Sequence, residues 1–456
     1  MTDSAILLSP VQGWATHARD LTVLGVPLIG SNVASYAIHL TDVVMLGWYD
    51  IQALAAVTLA TSLYFVVFLL GAGFGWAVMP MVASAVAKGD QTQARRVTRM
   101  GMWLSAAYGL ACAIPMLWSE QFFLVIGQDP AIAALAHDYL AIAGWGLIPG
   151  LMAVVLRSFL AALERTAIVL WATIGAAIIN AIFGYALIFG AFGLPELGLV
   201  GAAWAALVTT CLSGLIMLAY ALRAFPDYRL AQRLWRPDPV ALRQVFRLGA
   251  PIGLTSLAEG GMFSACAIMV GWIGAVPLAA HGIAMQLASG MFMFHLGISQ
   301  AGTIRAGQAV GRRDEANLRR TGAAAIAVSG GFALLTVLIF FAFPQQLVGF
   351  FVAPDSPSRA ALLQAGVALL LVAAVFQLLD AMQVVALGLL RGVQDTAVPM
   401  VLAAISYWLV GIPSGYLLGV HLGWGAPGIW LGLVIGLGLA ASLLMARFWT
   451  RAVKVG

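Results

Sequence analysis

The segment FQLLDAMQVVALGLLRGVQDT, residues 376–396, decides how this chain is interpreted, because it places one acid inside a long apolar stretch. Asp380 has Gln377 and Gln383 three residues to either side, so at 3.6 residues per turn the three side chains share one helix face. A carboxylate at mid-bilayer costs about 2.5–3.5 kcal/mol on insertion scales. Two interpretations are open: a packing acid satisfied by a neighbouring helix, and a functional acid in a membrane-embedded site.

The composition around this segment is that of a polytopic membrane protein. Of the 456 residues, 62% are hydrophobic and only 9% are charged, too few to cover a soluble surface. The apolar segments run about 20–30 residues, enough for an α-helix to cross the hydrocarbon core and too long for outer-membrane strands. We therefore predict an all-α integral membrane protein. The first residues lack a basic region followed by an apolar one, so no cleaved signal peptide is expected.

Twelve transmembrane helices are predicted from the apolar runs and the turn and charge signals between them. Their expected spans are about 20–47, 52–87, 97–126, 133–160, 168–191, 200–224, 244–274, 278–308, 319–350, 360–391, 397–420 and 427–450.

Basic residues mark one side of the membrane. Lys and Arg collect after predicted helices 2, 4, 6, 8 and 10 and in the tail, whereas the opposite loops carry acids such as Asp50, Glu120 and Asp129. The positive-inside rule makes the basic loops and both termini cytoplasmic, and we expect a multi-pass protein of a bacterial inner membrane. This placement accounts for the net charge of +5, and no nucleic-acid partner is predicted.

The chain also contains a long internal repeat. An offset of 224 residues aligns LGVP at Leu24 with LGAP at Leu248. The alignment continues without a gap into the loop after the second helix, where Asp90 corresponds to Asp314. The second half of the chain is therefore a copy of the first.

The repeat predicts the domain organisation. Each copy holds six helices, so both copies enter and leave on the same side, and we expect two six-helix bundles related by a pseudo-two-fold along the membrane normal. The N-terminal lobe is expected to span 1–225, a cytoplasmic linker 226–243, and the C-terminal lobe 244–456. Two such bundles suit alternating access around a mid-membrane site.

Polar residues in the first predicted helix form a stripe. Asn32, Ser35, His39 and Asp42 fall within about 80° on a helical wheel, so they are expected to face the lobe interior or a water-filled cavity. Asn180 in the fifth helix is a candidate partner in the same lobe. The alternative is that Asp42 caps the end of its helix.

Predicted helices 7 and 8 add further candidates. Glu259 is the only acid in helix 7, and a lone buried glutamate is suited to carrying a proton or a cation. On helix 8, Gln286 and Ser289 belong to a stripe of small and amide residues, which either allows close helix packing or lines a cavity.

Several functional classes lack their motifs. The phosphate-binding pattern GxxxxGK[ST] is absent, so transport driven by this chain alone would be secondary. No Ser/His/Asp or zinc-ligand spacing favours an enzyme, and no cofactor is predicted beyond a coupling ion.

Four features carry a family resemblance: the six-plus-six repeat, DVVMLG from Asp42, RAGQAVGRRDEAN from Arg305, and the opening segment followed by ISYWLVGIPSGYLLG. In these features the chain resembles the MATE multidrug and toxin extrusion family, specifically its NorM branch. The resemblance covers nearly the whole chain. It implies antiport, in which organic cations such as drugs and dyes leave the cell as Na+ or H+ enters. We expect small organic cations and membrane lipid as partners, and a monomer.

The resemblance also implies residue roles. Glu259 and Asp380 match the cation-coupling acids of helices 7 and 10, where Na+ is a candidate ion, and Asp42 matches the helix 1 acid whose companion is Asn180. Gln286 matches a substrate-lining glutamine. Phe376 stands where NorM relatives can have a tyrosine, which removes one candidate ligand for Na+. Gln377 or backbone carbonyls are the substitutes.

Three other classes of membrane protein fit the sequence less well. A flippase or exporter of lipid-linked or other amphiphilic metabolites shares the two-lobe plan, but we would expect a more cationic cavity for pyrophosphate head groups. A major facilitator would carry GxxxDRxGRR after helix 2, which is missing here. A receptor or scaffold would leave the buried acids and the repeat unexplained.

Overall fold

The computed structural model describes residues 13–232, 235–352 and 357–454, and the regular structure in these ranges is helical. Eleven of the helices described are long and apolar enough to cross a membrane, and a bent pair raises the number to twelve. This confirms the predicted all-α membrane fold. We number the long helices as follows: α1 Trp14–Tyr49, α2 Ile51–Ala87, α3 Gln91–Met116, α4 Pro130–Ala162, α5 Thr166–Phe189, α6 Gly198–Ala224, α7 Pro239–Ile273, α8 Ala275–Arg312, α9 Glu315–Ala342, α10 Arg359–Gly392, α11 Ala397–His421 and α12 Gly425–Ala452.

Two of the predicted helices are interrupted. The expected helix 97–126 ends at Met116, and the chain bends by 63° into a short helix, Ser119–Val125. The expected helix 319–350 ends at Ala342 and is followed by the short helix Pro344–Gly349. Proline disfavours helical backbone in the residue before it and has no N–H to continue a helix, which explains the second break.

Equivalent aspartates begin one helix in each half of the chain. Asp90 Oδ1 accepts the backbone N–H of Gln93 at 2.8 Å, and Asp314 Oδ1 accepts that of Asn317 at 3.0 Å. Such side-chain caps satisfy N–H groups that have no partner within the helix. The caps explain why α3 and α9 begin before the predicted positions 97 and 319. They also show that the two copies of the repeat share the same local structure at this point.

The chain separates into two compact units. One comprises the described residues of Met1–Val26, Ala83–Gly89 and Gly261–Gly456, and the other comprises Pro27–Val82 and Asp90–Gly260. Helices α1, α2 and α7 therefore contribute residues to both units. The predicted lobes 1–225 and 244–456 stay a prediction, as do the cytoplasmic ends of the chain, since residues 1–12 and 455–456 lie outside the described residues.

The predicted linker 226–243, apart from residues 233–234, which are outside the described ranges, is held by side-chain contacts. Tyr228 is buried, and its ring packs edge-on against Phe159 with 5.5 Å between centroids. Asp238 forms an ion pair with Arg96 of α3, and this contact holds the pKa of Asp238 below its usual value. Asp238 Oδ1 also accepts the N–H of Ala241 at 3.1 Å. It thereby caps α7, which begins at Pro239 rather than near 244.

Helix α11, which contains the ISYWLVGIPSGYLLG segment, lies close to α12. A Cβ on Gly415 would stand 3.1 Å from the carbonyl oxygen of Ile429, and one on Gly436 would stand 2.9 Å from the Cα of Gly411. Only glycine allows the two backbones this separation. Within α11, residues Ile405–Gly411 and Tyr416–His421 adopt the wider π-helical form.

Candidate functional site

Asp380 lies within α10 and is only 2% exposed. Gln377 and Gln383 are buried on the turns to either side, as their shared helix face predicted. Gln377 Nε2 donates to the carbonyl oxygen of Ala288 at 3.1 Å, and Gln383 Nε2 donates to the hydroxyl of Tyr407 at 2.6 Å. Both Oε1 atoms are buried without a hydrogen-bond partner in the described residues. The carboxylate therefore has an unbonded amide oxygen on each neighbouring turn.

Two hydroxyl groups of α8 fix the position of α10. Ser299 Oγ donates to the carbonyl oxygen of Val384 at 2.6 Å, and Thr303 Oγ1 donates to that of Gly388 at 2.8 Å. Both contacts are buried and join positions 85 apart in the sequence. Because the accepting carbonyls lie one and two turns after Asp380, these bonds set the height and rotation at which α10 presents its acid.

Phe376 lies in an aromatic cluster beside the acid. It is 2% exposed, and its ring packs edge-on against Phe263 and Trp430, with centroids 6.0 and 5.5 Å away. Trp430 Nε1 in turn donates to His281 Nδ1 at 3.0 Å. Edge-on packing of this kind suits an apolar ring. The predicted role of Phe376 in lining a substrate cavity stays a prediction.

The candidates on α8 lie next to this cluster along the chain. Gln286 and Ser289 are half-buried, and they flank Ala288, whose carbonyl receives Gln377. Ser289 and Gln377 are therefore neighbours across the α8–α10 contact. Their roles, and that of Gln286, as cavity-lining residues stay predictions.

Glu259 is half-buried on α7. The hydroxyls of Thr255 and Ser256 bond to carbonyls of their own helix one turn earlier, at 2.8 and 3.2 Å. The helix approaches α2 closely, because a Cβ on Gly249 would stand 2.9 Å from the carbonyl oxygen of Gly73. Glu259 belongs to the unit of Pro27–Val82 and Asp90–Gly260, and a joint cation site with Asp380 stays a prediction.

Asp42 and Asn180 meet, as their predicted pairing requires. Asn180 Nδ2 donates to Asp42 Oδ1 at 2.6 Å, and Asn180 is fully buried. Helix α1 runs on to Tyr49, so the alternative that Asp42 caps its end is wrong. Asp50, beyond the end, caps α2 instead by accepting a backbone N–H at 2.9 Å.

The other residues of the predicted stripe on α1 differ in their exposure. Asn32 is 5% exposed, whereas Ser35 and His39 are exposed. Ser31, one residue outside the predicted stripe, is buried and shares a 3.0 Å hydrogen bond with Thr173 of α5. The expectation that the stripe faces the lobe interior or a water-filled cavity stays a prediction.

The sequence analysis missed one charged residue inside the membrane helices. Arg157 of α4 is half-buried, and its Nη2 donates to Asn32 Oδ1 at 2.5 Å. The signal was present in the sequence, since Arg157 interrupts the apolar run LMAVVLRSFLAA inside the predicted helix 133–160.

In the described part of the chain, eleven to twelve apolar helices that carry buried acid and amide groups and a half-buried guanidinium group are typical of polytopic membrane transporters. The particular family follows from comparison with known proteins. The MatE family model matches residues 27–186 and 251–417, and the two matches begin 224 residues apart, which is the offset of the repeat. The chain belongs to the MatE family, which confirms the resemblance.

Relatives with the same name cover nearly the whole chain. The probable multidrug resistance protein NorM of Rhizobium meliloti (strain 1021) is 44% identical over 452 residues, which are 98% of this chain and 96% of the relative. The NorM protein of Agrobacterium fabrum (strain C58 / ATCC 33970) is 45% identical over 438 residues, 95% of this chain and 94% of the relative. Both relatives bear the name probable multidrug resistance protein NorM.

Solved structures agree on the fold. A multidrug resistance MATE family transporter in an outward-facing conformation matches with a TM-score of 0.86 and 22% identity, covering 96% of each chain. A MATE crystal structure in complex with MaL6 matches with a TM-score of 0.87 and 22% identity, covering 100% of this chain and 99% of the other.

Proposed function

We propose that this protein is a secondary multidrug exporter that moves organic cations out of the cell in exchange for Na+ or H+ by alternating access. The observation that carries the proposal is the burial of Asp380 in a membrane helix between Gln377 and Gln383, whose Oε1 atoms have no hydrogen-bond partner within the described part of the chain. An ionisable group in such surroundings is costly, and in membrane proteins it marks an ion or substrate pathway.

The coupling ion interacts with acids on α7 and α10 in this proposal. Glu259 and Asp380 bind the inward-moving cation, and they release it when the outward-moving substrate competes for the same negative charge. Carboxylate, amide and carbonyl oxygens suit either a proton or a hard cation such as Na+. Phe376 contributes no side-chain oxygen, because its side chain is a hydrocarbon, and its ring packs against two other aromatic rings. Gln377 Oε1 is the substitute ligand for the Na+ alternative.

A second acid lies on α1, where Asp42 is bonded to Asn180. We assign it to coupling in its own unit, since its carboxylate keeps a second oxygen for a proton or cation. An inside-negative potential supplies about 2.3 kcal/mol for each net charge that enters per 100 mV. The basic loops and both termini are cytoplasmic in this scheme, in a bacterial inner membrane, and the protein acts as a monomer.

Ethidium efflux tests the acids. In cells of an efflux-deficient host, we expect Glu259→Gln and Asp380→Asn each to reduce efflux to the level of the empty vector. The matched control is Asp138→Asn, which removes an exposed acid of α4 and should leave efflux unchanged. Efflux at the wild-type rate from both acid variants would contradict the assignment.

Purified protein in proteoliposomes tests the coupling. Adding ethidium should drive Na+ or H+ flux in the opposite direction, and imposing either ion gradient separately identifies the ion. Flux that is the same with and without the protein, for both ions, would refute antiport. Translocation of a lipid-linked metabolite in the same vesicles, without ethidium transport, would instead support the alternative flippase function.

A further inference from the structure

Arg157 is a cation of the membrane helices with no anionic partner among the residues that the structure describes. It lies five residues before the end of α4, and among the described residues its side chain makes one hydrogen bond, the donation from Nη2 to Asn32 Oδ1 at 2.5 Å. None of the ion pairs among the described residues includes it. An uncompensated charge in such a place is unfavourable, and the neutral amide oxygen of Asn32 offsets only part of the cost.

Asn32 adds a second donor that has no acceptor. The residue is 5% exposed, and its Nδ2 is buried without a hydrogen-bond partner in the described part of the chain. A guanidinium group and an amide N–H group therefore lie side by side with only donors to offer. Such a pair is chemically matched to a carboxylate.

We propose that Arg157 and Asn32 bind the carboxylate of a substrate, so that this exporter prefers zwitterionic amphiphiles over amphiphiles that carry only a positive charge. The inference rests on the proposed function and adds the substrate class. Asp42 lies ten residues further along α1, about 15 Å along the helix axis. One unit therefore presents a group for the anionic end of a substrate and, farther along the same helix, a carboxylate for its cationic end.

A pair of dyes that differ only in the carboxylate tests the preference. Tetramethylrhodamine carries a cation and a carboxylate, and its methyl ester carries the cation alone. Binding is measured by fluorescence anisotropy with the full chain in phosphatidylcholine nanodiscs. For the wild type we expect the acid to bind about tenfold more tightly than the ester, the effect of one charge-assisted hydrogen bond.

The variants separate a binding role from a structural one through the ratio of the two dissociation constants. Arg157→Gln should bring the ratio close to one, and Arg157→Lys should retain part of the preference. Asn32→Asp keeps the contact to Arg157 but supplies a carboxylate of its own, so it too should remove the preference. Arg223→Gln is the matched control, because it removes an exposed arginine of α6 and should leave the ratio unchanged.

Three results would overturn the inference. The first is equal binding of acid and ester by the wild type. The second is an equal loss of both dyes in Arg157→Gln, with Asn32→Asp like the wild type, as expected of a contact that only joins α1 to α4. The third is competition by phosphatidylglycerol that depends on Arg157, which would assign the site to a lipid phosphate. Failure of the proposed antiport is distinguishable, since it would abolish ion-driven dye flux while leaving the binding ratio intact.

Discussion

The contact between α8 and α10 gives a sharp test, because it sets the position of Asp380. In Gly388→Ala the added Cβ would stand 2.6 Å from the carbonyl oxygen of Ser299, where ordinary contacts begin near 3.4 Å. Neither atom is at the end of a flexible side chain. The two helices must therefore separate locally by about 0.8 Å to relieve the overlap.

That separation has a calculable effect on the bonds across the contact. The bond from Thr303 to the carbonyl of Gly388 is 2.8 Å long, and adding the displacement takes it past the range of a hydrogen bond. Overpacking costs about 1–3 kcal/mol. Two interhelical bonds in a membrane contribute about 0.6 kcal/mol each. We expect a loss of about 2–4 kcal/mol in the free energy of unfolding.

Unfolding by SDS titration in mixed micelles, followed by tryptophan fluorescence, measures this loss. Gly331→Ala is the matched control, because a Cβ at that exposed position of α9 meets no atom within 4 Å. It should leave the stability unchanged or raise it slightly through helix propensity. If Gly388→Ala unfolds at the same SDS fraction as Gly331→Ala, the close packing of α8 on α10 inferred here is refuted.

Two further variants address the other unit and the linker. Asn180→Ala removes the donor to Asp42 and should lower the free energy of unfolding by about 1.5–3 kcal/mol, measured by the same SDS titration. The ethidium efflux assay reports whether coupling is also impaired. Unchanged stability would show that the hydrogen bond contributes nothing to it. Asp238→Asn should cost about 0.5 kcal/mol at pH 7, since the pair with Arg96 is partly exposed. Because that contact lowers the pKa of Asp238, its contribution to stability is present above about pH 4 and is lost as the pH falls below this value. The free energies of unfolding of variant and wild type should therefore converge in acid. A difference that persists at about pH 2 would contradict this.

The sequence by itself determined the class of fold and identified Asp380 as an acid inside an apolar helix. Apolar runs long enough to cross a bilayer must form helices, since each backbone N–H and C=O group has to be hydrogen-bonded within its own segment. The same constraint makes Asp380 conspicuous, because one acid among apolar neighbours is costly wherever the helix lies. The repeat offset, which makes Asp90 equivalent to Asp314, could likewise be read from the sequence, since it depends only on residue order.

Only the tertiary structure decided which polar groups meet. Asn32 and Arg157 are 125 positions apart, and Asp42 and Asn180 are 138 apart, so their contacts depend on the rotation and height at which separate helices pack. Helical periodicity sets neither quantity, because apolar side chains surround each helix on nearly every face. The contacts of α8 with α10 supply that information through hydroxyl groups and a glycine. For the same reason, the guanidinium of Arg157 became a candidate ligand group only once its neighbour was known.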